Sequence, residues 1–109
     1  MRKIRINPLA LQDLQEIKAY IAEELCNSEA AVSVIKMIIS RYEQLTSFPF
    51  MGNKLSVVMN VKTDFRYIVS GNYLIFYRVE AEYVSVYRVL YGRRDYMRIL
   101  FGDLQNDIE

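Results

Sequence analysis

The sequence contains no histidine, one cysteine, two prolines and four glycines in 109 residues. Each scarcity removes a class of chemistry. Without histidine the chain lacks the commonest general base and the commonest metal ligand. With Cys26 as the single thiol it can form no intrachain disulfide, no ordinary zinc site and no Ser-His or Cys-His nucleophile pair. A lone cysteine also fits a reducing compartment, the cytoplasm. The scattered glycines build no phosphate-cradling loop. No apolar run approaches the roughly 20 residues of a bilayer span, and the opening MRKIRINPLA lacks the apolar core of a signal peptide. The expectation is a cytoplasmic protein without membrane contact, metal or cofactor. Its chemistry would run on Arg, Lys, Tyr, Asp or Glu, or on the substrate's own groups.

What is present is ordinary for one globular domain: 52% hydrophobic and 25% charged residues. The net charge is +1, but its distribution is uneven. Residues 1–50 balance six basic against six acidic side chains; residues 51–101 hold eight against four; residues 102–109 hold three acids, Asp103, Asp107 and Glu109. The basic excess is smaller than a strong nucleic-acid binder usually carries. The reading divides the chain into a domain over 1–103 and an acidic tail over 104–109.

RKIRI (2–6) alternates charged and apolar groups and reads as a strand. Asn7-Pro8 is a helix start, a capping side chain followed by proline at the first helical position. Ala10, Leu14, Ile17, Ile21 and Leu25 then form an apolar stripe over about 18 residues, with Asp13, Glu16 and Glu23 read as lying off it. Asn27 and Ser28 break this helix and cap a second, from about Glu29 to Ser47, whose stripe is Ala31, Ile35, Ile38, Tyr42 and Leu45. The pair should pack as an antiparallel hairpin. FPFMG (48–52) ends it through Pro49 and Gly52. Residues 53–64 stay undecided between loop and short strand. From Phe65 the period becomes 2: FRYIVS, the turn Gly71-Asn72, YLIFYRV, a polar EAE link and YVSVYRVLY. A short helix from about Arg94 to Asp103 closes the chain. The fold class is α+β, ordered β-αα-βββ-α, with the helix hairpin on one face of a mainly antiparallel sheet.

In this order and spacing, PLALQDLQEIKAYI, FPFMGNKL, FRYIVSGNYLIFYRV and YRVLYGRRDYMRILF resemble the RelE/ParE superfamily of bacterial toxin–antitoxin toxins over about residues 3–101. The run RVL into GRRDY is closer to the ParE branch. The resemblance implies the toxin of a type II toxin–antitoxin system, associated with plasmid stabilisation and growth inhibition. A ParE-like member would be a DNA gyrase poison that blocks replication and no enzyme. The alternatives are a RelE-like ribosome-dependent mRNA endonuclease, or a non-toxic module that only binds its antitoxin. Implied partners are an antitoxin from a neighbouring gene and gyrase, or the ribosome and mRNA. The antitoxin's C-terminal segment is expected to wrap the toxin by helix-in-groove and strand-addition contacts.

Arg94 matches an arginine position of the nuclease branch. Arg66 is the best answer to two basic positions in the preceding strand, whereas Leu74 and Leu100 stand where the nucleases carry functional side chains. No catalytic residue is assigned; Arg94 and Arg66 are the candidates if the protein is a nuclease. The candidates for target contact are Arg66, Arg88, Arg93, Arg94 and Tyr96. With a three-residue EAE link, even positions from Leu74 to Arg78 and from Val84 to Leu90 share one face. Following the family, that face is expected to be an open groove, with the odd positions turned to the helices. Arginine opening a helix works against the helix dipole, so the pair at 93–94 hints at an anionic partner.

Overall fold

The computed structural model of the protein describes residues 1–60, 62–94 and 96–101. Asp95 and the acidic tail lie outside the described residues. Strand β1 (Lys3–Ile6) leads into helix α1 (Pro8–Ala19), which Asn7 caps by accepting the Leu9 N–H at 2.8 Å. The helix widens into a π-helical turn at Tyr20–Glu24, and Cys26 turns the chain with a positive φ of 52°. Asn27 caps helix α2 (Ser28–Glu43) through the Ala30 N–H at 3.0 Å. This helix tightens into a 3-10 turn at Gln44–Thr46 ahead of Pro49. Ala10, Leu14 and Ile21 on α1 and its continuation, with Ala31, Ile38, Tyr42 and Leu45 after them, are buried. Each large one contributes about 1.5–3 kcal/mol by leaving water. Leu25, expected on the first stripe, is exposed.

The sheet has the order β1-β5-β4-β3-β2, with β2 (Asn53–Lys54), β3 (Arg66–Ser70), β4 (Tyr73–Val79) and β5 (Tyr83–Tyr91). β1 runs parallel to β5 and the other pairings are antiparallel. The link between β4 and β5 is tighter than its three residues suggest, since the Glu80 N–H binds the Tyr83 carbonyl at 2.8 Å and Val79 pairs with Val84, and the register shifts again further along. Phe76 pairs with Arg88 while Tyr77 pairs with Val86, so Tyr87 is an extra residue on β5. Such a bulge reverses which face the following positions take. Val84, Val86 and then Val89 face the helices together with Ile75 and Tyr77. The expected even-odd division of β5 fails at Val84 and Val86, which join the helix-side core because Val79 pairs with Val84; past the bulge it holds, with Val89 on the helix side and Leu90 on the other face.

That other face is also more covered than expected. Leu55, Phe76 and Leu90 form a second core, on which Leu74, Tyr96, Ile99, Leu100 and Phe101 pack. Helix α4 (Tyr96–Phe101) lies over the sheet, and α3 (Leu55–Met59) closes it from the side. The undecided segment 53–64 thus holds a two-residue strand and a helical turn, ended by Asn60 in the left-handed region (φ 53°). Burial of Leu55 organises it, since LSVVM has little helix signal of its own. The physical reason for the cover is composition: Leu74, Phe76 and Leu90 form an apolar patch too large to leave in water. Toward β1 the Arg5 guanidinium stands 3.9 Å from the centre of the Tyr83 ring.

Candidate functional site

The five expected contact residues fall into three environments. Arg88 projects to the helix side, where Asp13 of α1 receives its fork. Nε to Oδ2 measures 2.7 Å and Nη2 to Oδ1 2.8 Å. The Val89 N–H donates to the same Oδ2 at 3.0 Å. The side chains of Arg88 and Asp13 are only 20% and 5% exposed. The hydrogen bond to Asp13 holds the guanidinium above its ordinary pKa, against the opposing effect of burial. The expectation that Arg88 lines the open groove is corrected: its fork reaches Asp13 on α1, and those donors are engaged within the fold. Asp13 was read as off the stripe, yet it sits three residues after Ala10 and four before Ile17, on the buried arc.

Arg66 is engaged at the other end of β4. Its Nη1 donates to the carbonyls of Phe50 (3.3 Å) and Gly52 (2.9 Å), and its guanidinium lies 5.0 Å from the centre of the Phe50 ring. Tyr96 does not stand with the arginine pair. Its ring tilts over Phe76 at 5.4 Å and its hydroxyl reaches the Met59 sulfur at 3.6 Å, in the second core.

Arg93 and Arg94 form the third environment. Both are exposed in the turn after β5, with the Arg94 N–H bound to the Tyr91 carbonyl at 3.0 Å and the Arg94 carbonyl accepting from the Tyr96 N–H at 2.8 Å. Gly92 donates to the Asn72 carbonyl at 2.9 Å, and a Cβ at that position would approach this oxygen to 3.3 Å. The joint is thereby tied to the β3–β4 turn. Neither arginine side chain has a carboxylate partner among the described residues. Asp95 and Asp103, the nearest acids in sequence, lie outside them.

Arg94 lines a cleft of about 680 Å³ under the helix hairpin. Ile17, Ile21, Leu25, Val34 and Val89 give it an apolar floor, Tyr20, Tyr73 and Tyr91 stand along it, and Asp13 and Glu16 supply negative charge. The Tyr73 and Tyr91 rings meet edge-on at 5.9 Å. Burial, then Tyr91 and Tyr20, push the Tyr73 hydroxyl above its ordinary value, so it stays a neutral donor. Sequence reasoning missed this cleft, because its walls come from α1, α2, the β3–β4 turn and the end of β5.

Chemically the arrangement favours holding a partner. Arg66 pairs across the sheet with Tyr77, whereas Arg94 follows Tyr91, the partner of Tyr73. Four residues of β4 separate the two levels, about 13 Å. The fold does not bring the two nuclease candidates together. Leu74 and Leu100 pack in the second core. Among the described residues no group of three or more His, Cys, Asp or Glu could hold a metal ion, and no helix is long and apolar enough to cross a membrane.

Residues 4–96 match the model of a family described as the ParE toxin of type II toxin–antitoxin system, parDE. A search of curated proteins finds no match. Among solved structures, one described as the chromosomal ParDE TA system from P. aeruginosa superposes with a TM-score of 0.70. The identity is 16%, over 84% of this chain and 96% of that one, a likeness that establishes the fold.

Proposed function

Because the chain belongs to the ParE toxin family of type II toxin–antitoxin systems, we propose that it is the growth-inhibiting toxin of such a pair. In this reading it acts in the cytoplasm as a DNA gyrase poison that blocks replication. A cognate antitoxin neutralises it by laying an amphipathic segment into the cleft under the helix hairpin, its apolar side on Ile17, Ile21 and Val89 and an acidic group toward Arg94. The observation that carries the choice of target is the covered sheet face. A ribosome-dependent nuclease would need basic groups converging on that face to stabilise a negative transition state. Here it holds Leu74, Phe76 and Leu90 beneath α4, which packs Leu100 on them, and Arg66 and Arg94 stand at different levels of β4.

The test is induction of the chain with and without its neighbouring gene. Growth arrest with DNA double-strand breaks, relieved by the neighbour, is the expected result. Arrest with mRNA cut in translating ribosomes and intact DNA would move the protein to the nuclease branch. Soluble expression without arrest, together with tight binding of the neighbour's product, would make it an antitoxin-binding module.

A further inference from the structure

The FPFMG loop at 48–52 is exposed where an ordinary loop of this composition would bury itself. Phe48, Phe50 and Met51 are 65%, 58% and 39% exposed. The loop is nevertheless held firmly. The buried Tyr77 hydroxyl accepts from the Gly52 N–H at 3.0 Å and donates to the Pro49 carbonyl at 2.9 Å. Arg66 binds the Phe50 and Gly52 carbonyls. Apolar side chains held out on a pre-ordered backbone are the usual anchors of protein interfaces, since little entropy remains to be lost on binding.

The charge around the ring indicates what would dock. The Arg66 guanidinium lies 5.0 Å from the Phe50 ring centre and that of Arg2 lies 5.5 Å from it. Both hold only neutral acceptors: Arg2 gives its Nε to the Glu80 carbonyl at 2.8 Å, and Arg66 uses Nη1 alone. Neither has a carboxylate partner among the described residues. Their remaining nitrogens reach solvent, because Arg78 Nε is the sole buried side-chain nitrogen or oxygen without a partner among those residues. Lys3 and Lys54 line the flanking hollows. Of the two carboxylates there, Asp64 is taken by Arg78 at 2.8 Å, leaving Glu82.

We propose that the Phe50 loop, with Arg2 and Arg66, is a second docking surface, for an acidic polypeptide segment in which carboxylates flank an apolar side chain. The apolar group meets Phe50 and Met51, and the carboxylates take the free donors of the two guanidiniums. A peptide is preferred over nucleic acid because the chain as a whole is nearly neutral, at +1, and exposed Phe, Met and Arg match the composition of protein interfaces. The surface stands apart from the helix-hairpin cleft. Arg2 reaches Glu80, just past the last residue of β4, while the cleft meets Tyr73, its first. The two lie about 20 Å apart along the strand, so both can be occupied together, and the proposal does not depend on the toxin reading.

The test is a titration of the isotope-labelled full chain, followed by backbone amide shifts. The probes are a short synthetic peptide alternating Glu and Phe, the corresponding Lys and Phe peptide, and oligo-dT. The acidic peptide should give saturable shifts at residues 48–54 and around Arg2 and Arg66, weakened by added salt. Phe50→Ala should reduce its affinity by about ten-fold, the size of an interface anchor. Because Phe50 is exposed, this variant should keep the wild-type thermal midpoint, and Arg2→Gln with Phe50 kept gives an independent reading of the charge, expected to weaken acidic-peptide binding and its salt dependence. Shifts confined to Tyr20, Tyr73 and Arg94, preference for the basic peptide, absence of saturable shifts, or tighter binding of oligo-dT at this loop would each overturn the proposal. Failure of the chain to arrest growth would count against the toxin reading and leave this result standing.

Discussion

Arg88 and Arg94 are six residues apart, at either side of the end of one strand, and the fold treats them in opposite ways. Arg88 is inside β5, next to a bulge, with its fork closed on a buried carboxylate. Arg94 is in the exposed joint beyond the strand, with no carboxylate partner among the described residues. Arg66 stands between the two, since its Nη1 holds a loop by its backbone carbonyls while its other nitrogens stay open. An arginine whose donors are spent on the fold is a strut, and one whose donors are unspent is available to a partner. Residue type and proximity in sequence do not separate the two; strand register does.

The comparison breaks most visibly at the strut. Arg88→Ala leaves Asp13 buried and unpaired, and should cost about 3 kcal/mol or more. For a domain of this size the thermal midpoint should fall by more than about 10 °C. Asp13→Ala should do comparable harm, because Oδ2 also receives the Val89 N–H. Replacing both, as Asp13→Leu with Arg88→Met, should recover most of the loss, since an apolar pair of similar volume often substitutes for a buried ion pair. Calorimetry on the two single variants and the double decides it. If Arg88→Ala melts with the wild type, the pair is no strut.

A smaller effect is expected at the Phe50 loop. A Cβ on Gly52 would fall on the Tyr77 hydroxyl and lie 2.7 Å from the Tyr67 carbonyl, so Gly52→Ala should cost about 1–3 kcal/mol. Tyr77→Phe removes both hydroxyl bonds and should cost about 1–2 kcal/mol. Denaturant melts at neutral pH measure both.

Much of this was legible in the residues, and the failures have definite causes. Asn7-Pro8 and Asn27 announce the helix starts, Gly71-Asn72 the hairpin, and the apolar stripes the helix-side core, since each is a local signal of backbone or burial. The bulge at Tyr87 has no such signal: in YVSVYRVLY every residue suits a strand, and an extra one changes only the pairing. Val84 and Val86 were misassigned for an earlier reason, a turn tightened by the Glu80 N–H on the Tyr83 carbonyl so that Val79 pairs with Val84. The α3 turn was illegible because Leu55 forms it by tertiary burial. Asp13 was within reach, because its spacing from Ala10 and Ile17 marks an acid on a buried arc, and a buried acid calls for a cation. The cleft beside Arg94 is a product of topology, drawn from four separate segments.

A weaker handle comes from alkaline pH. Tyr42, Tyr73 and Tyr77 each ionise above their ordinary value of 10.0, in every case chiefly because burial disfavours the phenolate. With the folded pKa above the unfolded one, the folded state keeps its protons longer. That contribution is fully present below pH 10 and is lost as pH rises through the folded values. The midpoint should therefore begin to fall above about pH 10. Tyr77→Phe, already less stable, should fall less steeply, as it has one proton fewer to lose. An equal slope in the two proteins would mean that Tyr77 ionises as freely folded as unfolded.

The smallest change in stability should accompany the largest change in behaviour, at the joint. The Arg94 side chain is exposed and has no partner among the described residues, so Arg94→Ala should alter stability by no more than about 0.5 kcal/mol. Yet it borders a cleft that combines an apolar floor with three tyrosines, and Gly92 ties its turn to Asn72. Under the proposed function, Arg94→Ala should weaken antitoxin binding by about ten-fold, the loss of one charged contact at an interface. If target and antitoxin compete for this arginine, growth arrest should fall as well. Arg93→Ala is the internal control, since Arg93 is equally exposed and carries the same charge but does not line the cleft. A general field effect would make the two variants alike and equally sensitive to salt, whereas a specific contact makes Arg94→Ala much the worse. Binding measured by calorimetry, beside thermal midpoints for both, separates these cases. If Arg94→Ala binds and arrests growth like the wild type, the joint is not part of the site. If it melts far below the wild type, Arg94 is a second strut and the contrast with Arg88 disappears.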